Sequence, residues 1–131
     1  MGRKKSFQQS EILKIISTVF VKYGFEGTSL DDLVKATGLL RGSLYSAFGS
    51  KRGMFIDALS ENIKQQKDSE ITITLVIIAM MELAAKDNTI RRLLKQWYKE
   101  SASSNVKELL GRAVLKQSGI LKEEEKNSHG K

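Results

Sequence analysis

The sequence predicts an all-α fold, and three observations support this prediction. The 131 residues include no proline, the residue that most strongly interrupts helices. Apolar residues recur at helical spacing in successive segments, as in Ile12, Ile16 and Val19. Capping patterns and single glycines, which begin and end helices, stand between these segments. At roughly 100–200 residues per domain, the length fits one domain, or one small domain with a short extension.

The composition excludes several classes of chemistry. There is no cysteine, and the single histidine, His129, lies in a polar C-terminal stretch. Disulfides, zinc fingers, thiol catalysis and iron–sulfur clusters are therefore excluded, and a histidine metal site or a Ser–His–acid triad is not expected. The acidic runs Asp31–Asp32 and Glu123–Glu125 fit a helix start and a solvated tail better than catalytic carboxylates. We expect no enzyme, no metal and no cofactor.

The positive charge is concentrated in the N-terminal part of the chain. The formal net charge is +7, and residues 1–53 carry nine basic and four acidic side chains, against thirteen and eleven in residues 54–131. Such an asymmetry favours a polyanionic partner. A generic basic surface is the alternative interpretation.

No membrane or export segment is expected. The longest apolar run, Leu75–Met81, is far shorter than the about 20 residues that a membrane span requires, so it predicts a core helix. The polar stretch Phe7–Glu11 stands where a secretory signal would need apolar residues. We expect a cytoplasmic bacterial protein, associated with the nucleoid, without a membrane partner.

Four helices are predicted in the N-terminal half, each with local start and stop signals. Serines at positions 6, 29 and 50 cap helices, and glycines at positions 24, 38 and 49 end them. The predicted limits are helix 1 from the Ser6–Gln9 capping box to Tyr23, helix 2 from Leu30 to Thr37, helix 3 over about Arg41–Phe48, and helix 4 from Lys51 to about Lys67.

Three more helices are predicted in the C-terminal half. The first, over about Thr72–Lys86, is apolar nearly all round and therefore largely buried. The second covers about Ile90–Ser101, and the third covers Val106–Gln117. The side chains expected to face inward on these last two helices are Leu93, Leu94, Trp97, Tyr98, Leu109, Leu110, Ala113 and Val114. Residues 122–131 are charged and polar, and we predict a disordered tail there.

Helix 2, the turn after it and helix 3 predict a helix-turn-helix. Gly38 permits the positive φ that ends the first helix and opens a wide crossing angle. The stretch Arg41-Gly-Ser-Leu-Tyr45 supplies a guanidinium, two small residues, a core leucine and a tyrosine. Small residues at the start of the second helix allow its N-terminal end to enter the DNA major groove.

Two runs of residues extend this motif into a family resemblance. They are Phe-x-x-x-Gly-Phe-x-x-Thr-Ser from Phe20, and Ala-Thr-Gly-Leu-x-x-Gly-Ser-Leu-Tyr-x-x-Phe-Gly-Ser-Lys ending at Lys51. Both resemble the DNA-binding domain of TetR/AcrR-family transcriptional regulators. With helices 1 and 4 included, the resemblance covers about residues 8–65. It implies a dimeric repressor with a three-helix DNA-binding head, a long helix 4 and an all-helical effector-binding body.

The resemblance also implies the DNA contacts, position by position. Ser29 would cap helix 2 near the DNA backbone, and Tyr45 and Lys51 would contact phosphates. The basic stretch Arg3–Lys5 would be an arm beside the DNA or a solvated tail. The recognition helix would present Arg41, Gly42, Ser43, Ser46 and Ala47. An arginine can bond O6 and N7 of guanine in a bidentate way.

The sequence departs from the family pattern in three places. Leu40 stands where a capping residue is common, and Asp31 stands where many members carry a basic or neutral residue. Only 64 residues follow Lys67, so we expect a reduced body that lacks the usual dimer helices. The predicted organisation is a DNA-binding domain at 1–50, a reduced regulatory and dimerisation body at 51–121, and a tail at 122–131.

These observations lead to two functional hypotheses. The first is a sequence-specific DNA-binding regulator, a repressor relieved by a small apolar or cationic effector, which binds a palindromic operator as a homodimer. The candidate effector pocket is formed by Met80, Met81, Trp97 and Tyr98, for which ordinary core packing is the alternative. The second is a shortened interaction protein that modulates a full-length regulator without an operator of its own.

Overall fold

The computed structural model describes residues 7–101 and 105–121 of the chain, and all regular structure in these ranges is helical. The predicted all-α fold is therefore confirmed. The helices in chain order are α1 (Phe7–Tyr23), α2 (Leu30–Thr37), α3 (Arg41–Phe48), α4 (Lys51–Gln65), α5 (Glu70–Glu82), α6 (Asn88–Ser101) and α7 (Val106–Gln117). The predicted cap at Ser6, the basic arm Arg3–Lys5 and the tail at 122–131 lie outside the described residues.

The N-terminal helices pack around a cluster of three aromatic rings. Phe20 of α1 and Phe55 of α4 meet edge to face with ring centroids 5.1 Å apart. Phe25, in the loop after α1, lies 5.5 Å from Phe55 and 6.0 Å from Phe20. All three rings are buried. Aromatic pairs at these distances add to ordinary apolar burial, so the cluster fixes the loop before α2 against α4.

α5 forms the centre of the molecule, as its apolar run predicts. It contacts α1, α4, α6 and α7. Its two buried threonines bond to nearby carbonyl oxygens, Thr72 Oγ1 to Gln66 O at 2.7 Å and Thr74 Oγ1 to Glu70 O at 2.9 Å. These bonds satisfy hydroxyl groups that burial would otherwise leave without a partner. A helix that is apolar on every side is therefore surrounded by other helices.

Three limits of α4 and α5 differ from the predicted ones by two to four residues. α4 ends at Gln65, before the predicted Lys67, because Gln66 leaves the helical region with φ −151° and ψ 82°. α5 begins at Glu70, where Ser69 Oγ accepts from the Thr72 N–H, and it ends at Glu82, four residues before the predicted end. The guanidinium of Arg91 donates to the carbonyls of Ala84 and Ala85, which stabilises the turn after α5.

The inward faces of α6 and α7 are only partly as predicted. Trp97 and Leu94 are buried, but Tyr98 is 44% exposed. The indole Nε1 of Trp97 donates to Lys67 O at 2.9 Å, which directs Trp97 into the core and turns its neighbour outward. On α7 only Val106 is buried, and Val114 is exposed. The predictions that Tyr98 and Val114 face inward are therefore wrong.

Candidate nucleic-acid interface

A complete capping box begins α2, the first helix of the helix-turn-helix. The Asp32 N–H donates to Ser29 Oγ at 3.0 Å, and the Ser29 N–H donates to Asp32 Oδ2 at 2.8 Å. The hydrogen bonds from the Ser29 backbone and side chain lower the pKa of the Asp32 carboxyl. This agrees with the capping box predicted from the sequence. Ser29 itself is exposed.

The turn between α2 and α3 depends on one glycine and one threonine. Gly38 has φ 75° and ends α2, and its N–H donates to Val34 O at 2.9 Å. Thr37 Oγ1 donates to Leu33 O and accepts from the Leu39 N–H. A side chain with a Cβ rarely adopts a φ of this sign, so the glycine sets the direction in which the chain leaves α2.

α3 is anchored by two buried side chains and exposes the rest. Leu44 and Phe48, four residues apart on one face, are packed in the core. All of the other α3 residues are exposed, namely Arg41, Gly42, Ser43, Tyr45, Ser46 and Ala47. Leu40, whose side chain has no hydrogen-bonding atom, occupies the N-cap and is also exposed. α3 therefore presents a surface of one cation, two hydroxyls, a phenol and small residues.

Arg41 is held by a residue of the preceding helix. Its Nη2 donates to Asp31 Oδ1 at 2.7 Å, and the two side chains are 57% and 74% exposed. Asp31 lies in the first turn of α2, so the pair bridges the two helices of the motif. The sequence predicted Arg41 on this surface and Asp31 at the start of α2, but it did not predict that they form a pair.

Lys51, predicted to contact phosphate, also has a structural role. Its Nζ donates to the carbonyls of Phe25 and Thr28, both at 2.9 Å, and lies 4.5 Å from the centroid of the Phe25 ring. Lys51 therefore joins the start of α4 to the loop before α2. An ammonium group has three donors, so one remains after these two bonds. Contact with phosphate stays a prediction.

Two carboxylates connect the N-terminal region, at α4 and at the loop before α2, to the later helices. Asp87, before α6, binds Arg52 of α4 through both oxygens, with Nε–Oδ2 at 2.6 Å and Nη2–Oδ1 at 3.0 Å. The Arg52 hydrogen bond is the main reason that the pKa of Asp87 falls to about 2. Glu82, at the end of α5, accepts from the Glu26 N–H at 2.8 Å. Sequence reasoning missed both links because their partners are 35 and 56 residues apart.

A groove of about 790 Å³ lies beside α6, away from the helix-turn-helix. Three of the four predicted pocket residues, Met80, Trp97 and Tyr98, line it together with Ala84, Leu94 and Leu110. Met81 does not line the groove and is 79% exposed, because it is the next residue of α5 and points away. Basic side chains complete the lining, namely Arg91, Arg92, Lys95 and Lys99.

In the described ranges, no helix is both long and apolar enough to cross a bilayer. The two helices of the candidate site, α2 and α3, are short and have eight residues each.

Comparison with known proteins identifies the region that contains this site. Residues 12–58 match the family model described as bacterial regulatory proteins, tetR family. Over 104 residues the chain is 30% identical to YezE, an uncharacterized HTH-type transcriptional regulator of Bacillus subtilis; this alignment covers 79% of the chain and 48% of the relative. It is 40% identical to the HTH-type transcriptional repressor ComR of Escherichia coli, over 47% of the chain and 30% of the relative.

A third relative is the HTH-type transcriptional repressor AcnR of Corynebacterium glutamicum, 30% identical over 62% of the chain and 44% of the relative. In these alignments the chain spans about half or less of each relative's length. No solved structure matches the chain. The family match includes the helix-turn-helix region and agrees with the resemblance seen in the sequence. Residues 12–58 therefore form a domain of the tetR family of bacterial regulatory proteins.

Proposed function

We propose that this chain is a sequence-specific DNA-binding repressor of transcription. The observation that carries the proposal is the division of α3, where Leu44 and Phe48 are buried and the six other residues are exposed. A helix held this firmly, with small residues at its N-terminal end, can enter the major groove. Relatives named as transcriptional repressors support repression as the direction of control.

The proposed contacts are of two kinds: those that recognise DNA bases and those that bind the phosphates of the DNA backbone. Arg41 is the candidate for base recognition, because a guanidinium can bond guanine in a bidentate way. Gly42, Ser43, Ser46 and Ala47 are small and allow close approach. Ser29, Tyr45 and Lys51 are proposed to donate to phosphates, which fixes the register without discriminating bases. After its two bonds within the protein, Lys51 retains one donor.

Substitution of Arg41 tests the recognition step. Duplexes enriched by the protein from a random pool would be compared with scrambled duplexes by fluorescence anisotropy. Arg41→Ala is expected to lose about 1–3 kcal/mol at one base position of each half-site. Arg112→Ala on α7 is the matched control, since Arg112 is 60% exposed and also lies near a carboxylate, that of Glu108. Equal affinity of the unmodified protein for enriched and scrambled duplexes would refute specific recognition.

Substitution of Tyr45 tests the proposed backbone contact. Tyr45→Phe removes only the hydroxyl, so it is expected to weaken binding to every sequence alike and to leave the base preference unchanged. Tyr98→Phe on α6 is the control, because the two tyrosines are equally exposed, at 45% and 44%. If Tyr45→Phe binds as the unmodified protein does, Tyr45 does not contact phosphate through its hydroxyl.

We further propose that two chains bind a palindromic operator as a homodimer. A two-fold axis would place two α3 helices about 34 Å apart, which is one turn of DNA. Exposed apolar side chains on and after α7 support association with a second chain: Val114, Leu115 and Ile120. Light scattering of the protein with duplexes that contain one or two half-sites tests this. A single chain bound to the two-half-site duplex would refute it.

A small molecule that binds the groove beside α6 is the proposed signal that relieves repression. The volume of about 790 Å³ fits a ligand of ordinary size, and Trp97, Leu94 and Leu110 give it an apolar floor. The basic side chains at its edge favour an apolar or anionic molecule over a cation. A fatty acid such as decanoate is a suitable probe. Quenching of Trp97 fluorescence that also releases the enriched duplex would support the proposal, and quenching without release would refute it.

A second candidate function is the modulation of another regulator by direct pairing. The same exposed residues of α7 favour it, because apolar side chains on a helix surface commonly mark a contact with another chain. Light scattering discriminates between the two functions. A stable homodimer that binds DNA favours the repressor, whereas a monomer that binds no duplex favours the pairing protein.

A further inference from the structure

An exposed ion pair joins the two helices of the helix-turn-helix. Arg41 Nη2 and Asp31 Oδ1 are 2.7 Å apart, and the residues are ten positions apart in the sequence. The contact therefore depends on the way α2 and α3 cross, and not on helical spacing within either helix. It fixes the direction of the Arg41 side chain at the start of the exposed face of α3.

Stability accounts for the charge of Asp31 only in part. An acid in the first turn of α2 is favourable for the helix dipole by about 0.3–1 kcal/mol. Any acid in that turn would supply this, and Asp32 already supplies the carboxylate of the capping box. An ion pair between side chains as exposed as these adds little, because water and salt screen it. Asp31 is also unfavourable for DNA affinity in general, since a carboxylate beside the phosphate backbone repels it. A role in the choice of base accounts for the pairing with Arg41, which the helix dipole does not require.

The ion pair leaves Arg41 able to bond a guanine. A guanidinium has five N–H donors, and Asp31 engages one hydrogen of Nη2. An edge with two parallel N–H groups remains, which is the arrangement that matches O6 and N7 of guanine. Because the side chain is already oriented, less rotamer freedom is lost when it meets the base.

We propose that Asp31 is a positioning residue, which holds the Arg41 guanidinium toward one base and so raises sequence discrimination while it lowers overall affinity for DNA. The inference rests on the proposed DNA-binding function of α3. It adds a determinant of specificity from α2, and it explains an acid at a position where the family resemblance implies a basic or neutral residue.

The test compares Asp31→Asn, Arg41→Ala and the double variant on duplexes enriched from a random pool by the unmodified protein. Asp31→Asn is expected to bind scrambled duplexes about three- to tenfold more tightly, because one negative charge is lost near the phosphates. It is also expected to lose about three- to tenfold in discrimination at one base pair. That base pair is the one whose discrimination Arg41→Ala abolishes. In the Arg41→Ala background, Asp31→Asn should no longer affect discrimination.

Two further variants separate positioning from charge and from folding. Asp68→Asn removes an exposed acid from the turn between α4 and α5, and it should leave discrimination unchanged. Asp31→Ser keeps a hydrogen-bond acceptor in the first turn of α2, and it should reproduce the effect of Asp31→Asn if that variant is unstable. Circular dichroism confirms that each variant is folded.

The outcomes distinguish this inference from the proposed function. If the unmodified protein enriches no sequence, the proposed function fails and the inference fails with it. If the protein enriches a sequence but Asp31→Asn retains full discrimination, only the inference fails. It also fails if Asp31→Asn shifts the affinity for all duplexes equally, or if its effect persists when Arg41 is absent.

Discussion

α2 and α3 have equal lengths and lie on either side of one turn, yet they begin differently. α2 begins with a reciprocal capping box between Ser29 and Asp32 and has two acids in its first turn. α3 begins at Leu40, which offers no side-chain acceptor, and has no acid in its first turn. The first N–H groups of a helix have no partner within the helix. At α2 the Ser29 hydroxyl accepts from the Asp32 N–H, whereas at α3 no side chain of the N-cap accepts from these groups.

This difference distinguishes α2, as a supporting helix, from α3, the proposed recognition helix. The capped N-terminus stabilises α2, the helix that leads into the turn at Gly38. An uncapped helix N-terminus carries a partial positive charge, which favours phosphate oxygens. The start of α3 is therefore less stable by itself and better suited to bind an anion. Four predictions test the contrast.

The largest effect on stability is expected from a residue that anchors α3 in the core. Leu44 is fully buried, so Leu44→Ala is expected to lower the free energy of unfolding by about 2–5 kcal/mol. Urea denaturation followed by circular dichroism measures this. Ala47→Ser, on the exposed side of the same helix, is the control and should change stability by less than about 0.5 kcal/mol. A small effect of Leu44→Ala would mean that α3 is not anchored as described.

The second-largest effect on stability is expected at α6, another helix whose first N–H groups have a side-chain acceptor. Asp87 Oδ1 accepts from the N–H groups of Thr89 and Ile90, and the carboxylate also binds Arg52. Asp87→Asn is expected to cost about 1–2 kcal/mol near pH 7, from the loss of the ion pair and part of the cap.

The pH dependence of this effect follows from the pKa of Asp87. Folding lowers the pKa from 3.8 to about 2, so the stabilisation is complete above about pH 4 and is lost as the pH falls toward 2. The difference between the unmodified protein and Asp87→Asn should shrink over that range in urea titrations. A difference that does not depend on pH would contradict the role of the carboxylate.

Exchange of the two N-caps tests the comparison directly. Ser29→Ala is expected to destabilise the protein by about 1 kcal/mol, because the Asp32 N–H loses its acceptor. Leu40→Ser supplies a cap where α3 has none and is expected to stabilise by up to about 1 kcal/mol. Thermal unfolding measures both. Leu40→Ser is also expected to weaken DNA binding, because the new hydroxyl competes for the uncapped N–H groups of α3, which favour phosphate oxygens. Unchanged binding would mean that these N–H groups do not contribute to DNA binding.

The smallest effect is expected from the glycine in the first turn of α3. An added Cβ at Gly42 meets no atom within 4 Å, so packing does not require a glycine there. Gly42→Ala is expected to stabilise the helix by about 0.5–1 kcal/mol and to weaken DNA binding. Gly111→Ala on α7 is the matched control, because its Cβ also meets open space. It should stabilise similarly and leave DNA binding unchanged. If the two variants bind DNA equally well, Gly42 does not serve close approach.

Most of the head could be predicted from the sequence, whereas the ends of the later helices could not. Ser29, Gly38 and Gly49 set the limits of α2 and α3 through bonds and backbone angles within a few residues. The end of α5 depends instead on Arg91, which binds carbonyls six and seven residues before it from the next helix. The predicted boundary after residue 50 stays a prediction. α4 contacts α1 and α3 as well as α5 and α6.

The sequence by itself determined the helical class, the turn at Gly38 and which α3 residues are available to a partner, because caps, glycines and apolar spacing act over one or two turns of chain. Only the tertiary structure decided the partners of the charged groups. Asp31 meets Arg41, Lys51 meets the loop at Phe25, and Arg52 meets Asp87 across separations of 10, 26 and 35 residues. Such contacts depend on the angles at which helices cross, and those angles follow from the packing of the whole core.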